Sequence, residues 1–143
     1  MMDPNLNKQN AISFYRTAYL GNPQEAVKKY VGDQYIQHNP QVADGTQGFI
    51  AYFEKMQRDY PDKSIEFVRA IAEGDLVALH THQIWPGNDQ YITMDFFRFD
   101  EKGKICEHWD AIQQVPKSLP IRIICINASD QSSIKKINLK PEF

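Results

Sequence analysis

Two strand-like segments joined by a short turn constrain the fold of this chain more than any other feature. Residues 91–99 are rich in aromatic and β-branched side chains, residues 104–110 carry further large apolar side chains, and the turn between them ends in Gly103. Such segments on either side of a glycine-containing turn are typical of a β-hairpin. The sequence therefore predicts two antiparallel neighbours in one sheet.

Each strand of this hairpin places a carboxylate among large apolar residues. Because side chains alternate between the two faces of a strand, Asp95 shares a face with Phe97 and Phe99. On the other strand, His108 shares a face with Asp110. If the two faces coincide, one apolar wall holds two acids and an imidazole. Hydrocarbon surroundings raise the pKa of a carboxyl group, so such a group can pass a proton in either direction near neutral pH. The alternative is that these are surface charges on a half-exposed sheet.

Before Lys63 the apolar residues recur at helical spacings of three and four. Capping signals at Asp3, Asn22 and Thr46 predict the starts of three helices. Residues 34–40, between the second and third helices, are predicted to be extended, because a helical conformation is disfavoured before a proline.

After Lys63 the apolar period changes to two. Alternation over residues 65–71, a turn at residues 73–75 and an apolar run over residues 76–85 predict two more strands ahead of the hairpin. This order of elements predicts an α+β domain, in which three N-terminal helices pack on one face of a curved, mainly antiparallel sheet and enclose a pocket.

Length and composition exclude several functional classes. A chain of 143 residues forms one domain, predicted over residues 1–116, and residues 117–143 are predicted to be a peripheral strand or a disordered tail. The net charge of −2 provides no attraction for nucleic acid or anionic lipid. The two cysteines are too few for a disulfide framework, and we find neither a membrane-spanning run nor a signal peptide. We therefore expect a cytoplasmic protein that binds neither nucleic acid nor membrane.

Two of the four histidines, His80 and His82, lie two residues apart on one predicted strand and so share a face. They are a metal pair, a proton-transfer pair or polar residues on the wetter side of the sheet. The spacing from Gly74 matches the opening of the cupin metal signature, but Pro86 and Gly87 occupy the places where that signature has its glutamate. Zinc requires at least three protein ligands, so we expect no metal.

The motifs together are similar to those of a known family. In their order and spacing they resemble the SnoaL-like proteins, relatives of polyketide cyclases in the nuclear-transport-factor-2-like superfamily. The resemblance extends roughly from residue 7 to residue 116, and it is carried by residues 35–40, 44–45, 74–82, 94–99 and 103–110.

This resemblance implies a cone-shaped fold, dimerisation through the sheet and cofactor-free aldol chemistry with an aspartate as acid and base. The strand around Asp95 also resembles that of ketosteroid isomerases, in which a neutral aspartic acid donates a hydrogen bond to an enolate. By that resemblance Asp95 stabilises an oxyanion. The catalytic tyrosine of the isomerases corresponds to Phe14, so steroid isomerisation is not expected, although Tyr15 is adjacent.

Two functions remain open at this stage. The first is an enzyme that enolises a small hydrophobic carbonyl compound, with Asp110 or His82 as the base, Asp95 at the oxyanion and His108 facing the same cavity. The second is a ligand-binding domain of the same fold without catalysis. In either case we expect the ligand to contact five further side chains: Tyr15, His38, Phe53, His80 and Trp109.

Overall fold

The computed structural model describes residues 2–118, which form three helices and five strands. In chain order these are α1 (Pro4–Tyr19), α2 (Pro23–Tyr30), β1 (Val31–Gln37), α3 (Gly45–Asp59), β2 (Ser64–Glu73), β3 (Leu76–Ile84), β4 (Gln90–Phe99) and β5 (Ile105–Gln114). The predicted α+β class and element order are confirmed. The prediction for residues 117–143 falls almost entirely outside the described residues. None of the described helices is long and apolar enough to cross a membrane.

Short polar side chains determine where the helices begin. The carboxylate of Asp3 accepts a hydrogen bond from the backbone N–H of Asn5, which caps α1 ahead of a proline at its first position. Helix α3 begins at Gly45, because Asp44 accepts the backbone N–H groups of Gly45 and Gln37. These two donors lower the pKa of Asp44. The cap predicted at Thr46 was therefore two residues too late.

The five strands form one sheet in the order β1-β5-β4-β3-β2. Strands β2 to β5 pair antiparallel in series, and β1 pairs parallel to β5. The predicted hairpin joins β4 to β5, and Gly103 has the positive φ of 74° that its tight turn requires. Strand β1 places the segment after Gln37 beside the middle of β5, where it contributes to the cavity described below.

The helices cover one face of the sheet, here called the inner face. Four alternate residues of β4 point into it and are buried: Thr93, Asp95, Phe97 and Phe99. Phe14 of α1 stacks on Phe49 of α3 with ring centroids 5.0 Å apart and meets the edge of Phe97 at 5.8 Å. Burying aromatic rings of this size contributes about 1.5–3 kcal/mol each. This aromatic cluster holds the helices against the sheet.

The opposite, outer face has no helix on it in the described part of the chain. Two of the β4 residues that alternate with the buried ones are exposed there, Met94 at 42% and Phe96 at 47%. Ile71 on β2 is exposed at 64% and Leu76 on β3 at 40%. The sheet thus presents an apolar outer face with no covering element among residues 2–118.

Candidate active site

A cavity of about 460 Å³ lies between the helices and the inner face. Seven aromatic rings and five side-chain amides line it, together with His108 and Asp110. Within residues 2–118, no lysine or arginine lines the cavity. The cavity is therefore apolar with several neutral hydrogen-bonding groups and one carboxyl group.

The pairing of β4 with β5 brings the predicted acids and imidazole together. Asp95 lies opposite Asp110 in the register, and Phe97 lies opposite His108. The two faces considered from the sequence therefore coincide. One ligand atom of each of Asp95, His108 and Asp110 lies within 4.8 Å of the others.

Asp95 is sealed beneath this cluster and does not line the cavity. Its side chain is fully buried, accepts a hydrogen bond from the Thr93 hydroxyl and lies 2.9 Å from His108 Nε2. The ring of His108 stacks on Phe97 at 4.7 Å and separates Asp95 from the cavity. The predicted direct hydrogen bond from Asp95 to a ligand oxyanion does not fit this arrangement.

The hydrogen bonds of Gln37 determine the proton positions on His108. The backbone N–H of Asn39 can only donate, so the Gln37 atom that it contacts at 3.1 Å is the carbonyl Oε1. His108 Nδ1 lies 2.8 Å from the same Oε1 and must therefore carry a hydrogen. A single further proton lies between His108 Nε2 and Asp95 Oδ1. Both ring nitrogens of His108 are thus occupied, and the pair with Asp95 has zero net charge.

Asp110 is the carboxyl group that faces the cavity. Asn39 Nδ2 donates to its Oδ2 at 2.7 Å, and the side chain is half-buried. Loss of hydration raises the pKa of Asp110, and the charge of Asp95 acts in the same direction, while the Asn39 amide and His108 oppose the shift. A carboxyl group with a raised pKa in an apolar cavity is suited to general acid and base catalysis.

Of the residues predicted to contact a ligand, Tyr15 and Phe53 line the cavity. The Tyr15 hydroxyl accepts a hydrogen bond from Gln83 Nε2 at 3.1 Å. Burial raises the pKa of Tyr15 well above its ordinary value, and the charge of Asp95 adds to the shift. Tyr15 therefore stays protonated and offers a neutral hydroxyl to a ligand.

The other predicted site residues lie elsewhere. His80 and His82 pair with Met94 and Ile92, which places them on the outer face, where Arg69 contacts His80 Nδ1 at 2.8 Å. His82 Nε2 contacts Gln90 Oε1 on β4 at 2.7 Å. The proposed base His82 and the proposed ligand contact His80 are thus separated from Asp110 by the thickness of the sheet.

His38 and Trp109 are likewise absent from the cavity lining. Trp109 lies opposite Phe96 in the register and so points to the outer face. His38 stacks on it with ring centroids 5.0 Å apart and contacts Glu107 Oε1 at 2.9 Å. Their predicted ligand contacts are therefore not supported, because alternation along β5 turns Trp109 away from its neighbours His108 and Asp110.

Four functional side chains were missed from the sequence: Gln37, Asn39, Gln83 and Thr93. Thr93 had a usable signal, since it lies two residues before Asp95 and must share its face. Gln37 and Asn39 had none, because their position depends on the parallel pairing of β1 with β5.

Asp95, His108 and Asp110 are also a group in residues 2–118 whose side chains could share a metal ion. Asp95 and His108 already hold each other, and Asp95 is closed off from the cavity. A metal ion bound by all three would have to break the contact between Asp95 and His108. That the protein requires no metal stays a prediction.

Comparison with known proteins places the chain in a family. The model of the SnoaL-like polyketide cyclase family matches residues 9–117. The chain therefore belongs to the SnoaL-like polyketide cyclase family. No curated protein sequence matches it closely enough to count as a relative.

Solved structures with the same fold support the assignment. A proposed polyketide cyclase from Bacillus cereus is 20% identical with a TM-score of 0.67, over 79% of this chain and 83% of the other. TsrD from Streptomyces laurentii is 19% identical with a TM-score of 0.66, over 79% and 92%. A proposed ketosteroid isomerase from Kribbella flavida is 17% identical with a TM-score of 0.66, over 90% and 95%. This SnoaL-like protein thus shares its fold of three helices on a five-stranded, mainly antiparallel sheet with these structures.

Proposed function

We propose that this SnoaL-like protein is a cofactor-free enzyme that enolises a small, uncharged carbonyl compound, leading to aldol-type cyclisation or isomerisation. The observation that carries the proposal is the Asp110 carboxyl group, which has a raised pKa and faces a largely apolar cavity. The family and its structural neighbours support this chemistry at a general level.

Asp110 is the base in this proposal. Its Oδ2 accepts the Asn39 amide, which fixes the orientation of the carboxylate and leaves Oδ1 for an α-proton. His108 lacks a free nitrogen to receive that proton, because Nδ1 is held by Gln37 and Nε2 by Asp95. His108 and Asp95 then act by positioning Asp110, and as a pair they add no net charge beside the cavity.

The oxyanion is stabilised by the Tyr15 hydroxyl instead of Asp95. Asp110 removes a proton from the carbon next to the carbonyl group, and the negative charge develops on the carbonyl oxygen beside the Tyr15 O–H. In an aldol reaction the enolate carbon attacks a second carbonyl group, and Asp110 returns the proton to the new alkoxide. In an isomerisation Asp110 returns the proton to a different carbon of the same molecule.

The lining of the cavity defines the ligand class. Aromatic rings and neutral amides provide contacts for an apolar ring system and its oxygens, and no lysine or arginine of the described residues lines the cavity to balance an anion. A carboxylate or phosphate would enter beside Asp110 without a counter-charge. The proposed ligand is therefore a neutral, hydrophobic carbonyl compound.

We also propose a homodimer that forms through the outer face. Ile71, Leu76, Met94 and Phe96 expose large apolar surfaces there, with Phe96 at 47% exposure. A second copy of the same face would cover them, and exposed apolar patches of this kind usually mark an interface. A cytoplasmic location completes the proposal, supported by the small number of cysteines.

A binding protein without catalysis is the second candidate. One observation favours it: among residues 2–118, Asp110 is the single carboxyl group that lines the cavity, and both nitrogens of His108 are engaged. A pocket with one half-buried carboxyl group can simply orient a ligand hydroxyl.

Exchange of α-protons for deuterium separates these functions. Cyclic enones, β-keto esters and the bicyclic ketone 1-tetralone are incubated with the protein in D₂O, and NMR follows the loss of each α-proton signal. We expect catalysed exchange by the wild type and a loss of about 10²–10⁴-fold in Asp110→Asn. If the wild type binds these compounds but exchanges no α-proton above background, the protein is a binding module.

A further inference from the structure

A continuous chain of hydrogen bonds runs from the rim of the cavity to the buried Asp95. Trp85 Nε1 lies 3.3 Å from Gln83 Oε1, and Gln83 Nε2 contacts both the Tyr15 hydroxyl at 3.1 Å and Thr81 Oγ1 at 3.3 Å. Thr81 and Thr93 share a hydrogen bond of 2.6 Å, and Thr93 reaches Asp95.

The orientation of the Gln83 amide is determined by its neighbour. An indole N–H can only donate, so the Gln83 atom facing Trp85 must be the carbonyl oxygen. The –NH₂ end of Gln83 therefore points to Tyr15 and Thr81, and both of its hydrogens are used there.

The direction of the threonine hydrogens is set by Asp95, and Gln83 completes the chain as a donor. The carboxylate oxygen of Asp95 accepts the one hydroxyl hydrogen of Thr93, so Thr93 must accept from Thr81, and Thr81 accepts from Gln83. Tyr15 also accepts from Gln83, so its own hydrogen cannot point back to that residue. It points to a ligand oxygen in the cavity or, in an empty cavity, to the neighbouring Thr93.

We infer that Gln83 is a positioning residue, which turns the Tyr15 hydroxyl hydrogen away from itself and toward the ligand carbonyl, and which supplies the first donor of the chain that ends at Asp95. The inference rests on the proposed function, because it explains why the hydrogen of the Tyr15 hydroxyl, the proposed donor to the oxyanion, points to the ligand. Hydrogen bonds in such a chain polarise one another, so donation from Gln83 also makes Tyr15 a better donor.

The variant Gln83→Glu tests this direction with little change of shape. The introduced carboxylate, once ionised, accepts hydrogen bonds only, so the Tyr15 and Thr81 hydrogens would both turn toward it. The titratable neighbours of the introduced carboxylate are Tyr15 on α1, Asp95, which it reaches through Thr81 and Thr93, and Asp110 across the cavity. Gln83→Met is the matched control, since it keeps the length of the side chain and removes both donor and acceptor.

The readout is the infrared carbonyl band of bound 1-tetralone, labelled with ¹³C at the carbonyl. A hydrogen bond to the oxygen moves this band to lower wavenumber, and Tyr15→Phe supplies the position without that bond. In Gln83→Glu we expect the carbonyl band of 1-tetralone to lie near the wild-type position at pH 5. As the pH rises and the infrared band of the ionised carboxylate appears, the carbonyl band should move toward the Tyr15→Phe position. The affinity for 1-tetralone should fall by about 3- to 10-fold over the same change. In Gln83→Met the band should lie between the wild-type and Tyr15→Phe positions at every pH.

Any of three results for the carbonyl band would overturn the inference. The first is a wild-type band at the Tyr15→Phe position, and the second is a Gln83→Met band at the wild-type position. The third is a Gln83→Glu band that does not move while the introduced carboxyl group ionises. A merely structural role for Gln83 predicts no pH-dependent band in the glutamate variant. If the wild-type band is shifted but no α-proton exchanges, the proposed function fails and this inference stands. If exchange is catalysed equally by all Gln83 variants, the inference fails and the proposed function stands.

Discussion

Substitution of Asp95 measures how much the buried Asp95–His108 pair contributes to stability. In Asp95→Ala, the Thr93 hydroxyl and His108 Nε2 both lose their partner in a buried region. Each orphaned buried group costs about 1–3 kcal/mol, and breaking a buried charge pair costs about 3–5 kcal/mol in comparable proteins. We therefore expect Asp95→Ala to lower the free energy of unfolding by about 3–5 kcal/mol, a large part of the 5–15 kcal/mol typical of a domain.

Asp95→Asn is the matched control, because it can satisfy both partners. The asparagine amide donates to His108 Nε2, and its oxygen accepts from Thr93, while Nδ1 of His108 keeps its hydrogen on Gln37. We expect its cost to stay below about 1 kcal/mol.

Urea unfolding of both variants at pH 7, followed by tryptophan fluorescence, measures this difference. Protein concentration must be kept constant, since dimerisation would couple stability to concentration. If Asp95→Ala and Asp95→Asn differ by less than about 0.5 kcal/mol, within the range of an ordinary surface substitution, the proton arrangement deduced for His108 is wrong.

The other predictions concern Asp110, the outer face and the outer histidines. The folded-state pKa of Asp110 lies above its unfolded value, so the wild type loses stability as the pH rises through the interval between the two. Asp110→Asn lacks this titration and should therefore gain stability relative to the wild type from about pH 4 upward. An equal pH dependence of urea unfolding in both proteins would contradict this. Phe96→Glu should convert a dimer into monomers in analytical ultracentrifugation, whereas a monomeric wild type at micromolar concentration would exclude the dimer. His82→Gln should leave the rate of α-proton exchange within about twofold of wild type, since His82 lies on the outer face, and a loss near that of Asp110→Asn would restore His82 as the base.

The sequence was sufficient for the fold class and for naming the residues at the centre of the candidate site, but not for bringing them together. The change of period at Lys63 separates the helical from the strand half, and both the class and the order of elements are confirmed. Alternation placed Asp95 with Phe97 on one face of β4 and His108 with Asp110 on one face of β5, but it left open whether these faces coincide. They coincide because the register shifts between Arg98 and Phe99, next to the turn.

Alternation could not decide which face of each strand meets the helices. His80 and His82 share a face with each other, but it is their pairing with Met94 and Ile92 that turns them outward. The depth of Asp95 was equally hidden, because it depends on the ring of His108 above it.

Contacts between distant segments were also beyond the sequence. The amide of Asn39 reaches Asp110 across 71 positions, and Gln83 reaches Tyr15 across 68. No local pattern marks such residues, because their roles arise when β1 joins β5 and when α1 packs over β3.

The pH dependence of α-proton exchange in 1-tetralone tests the role of Asp110 most directly. The rate is measured by NMR in D₂O from pH 4 to pH 9 for wild type, Asp110→Asn and Asp95→Asn. We predict a wild-type rate that rises with pH along a limb above the ordinary carboxyl range, part of that rate in Asp95→Asn, and a loss of about 10²–10⁴-fold in Asp110→Asn. A wild-type rate in Asp110→Asn, with the same rising limb, would contradict the assignment of Asp110 as the base.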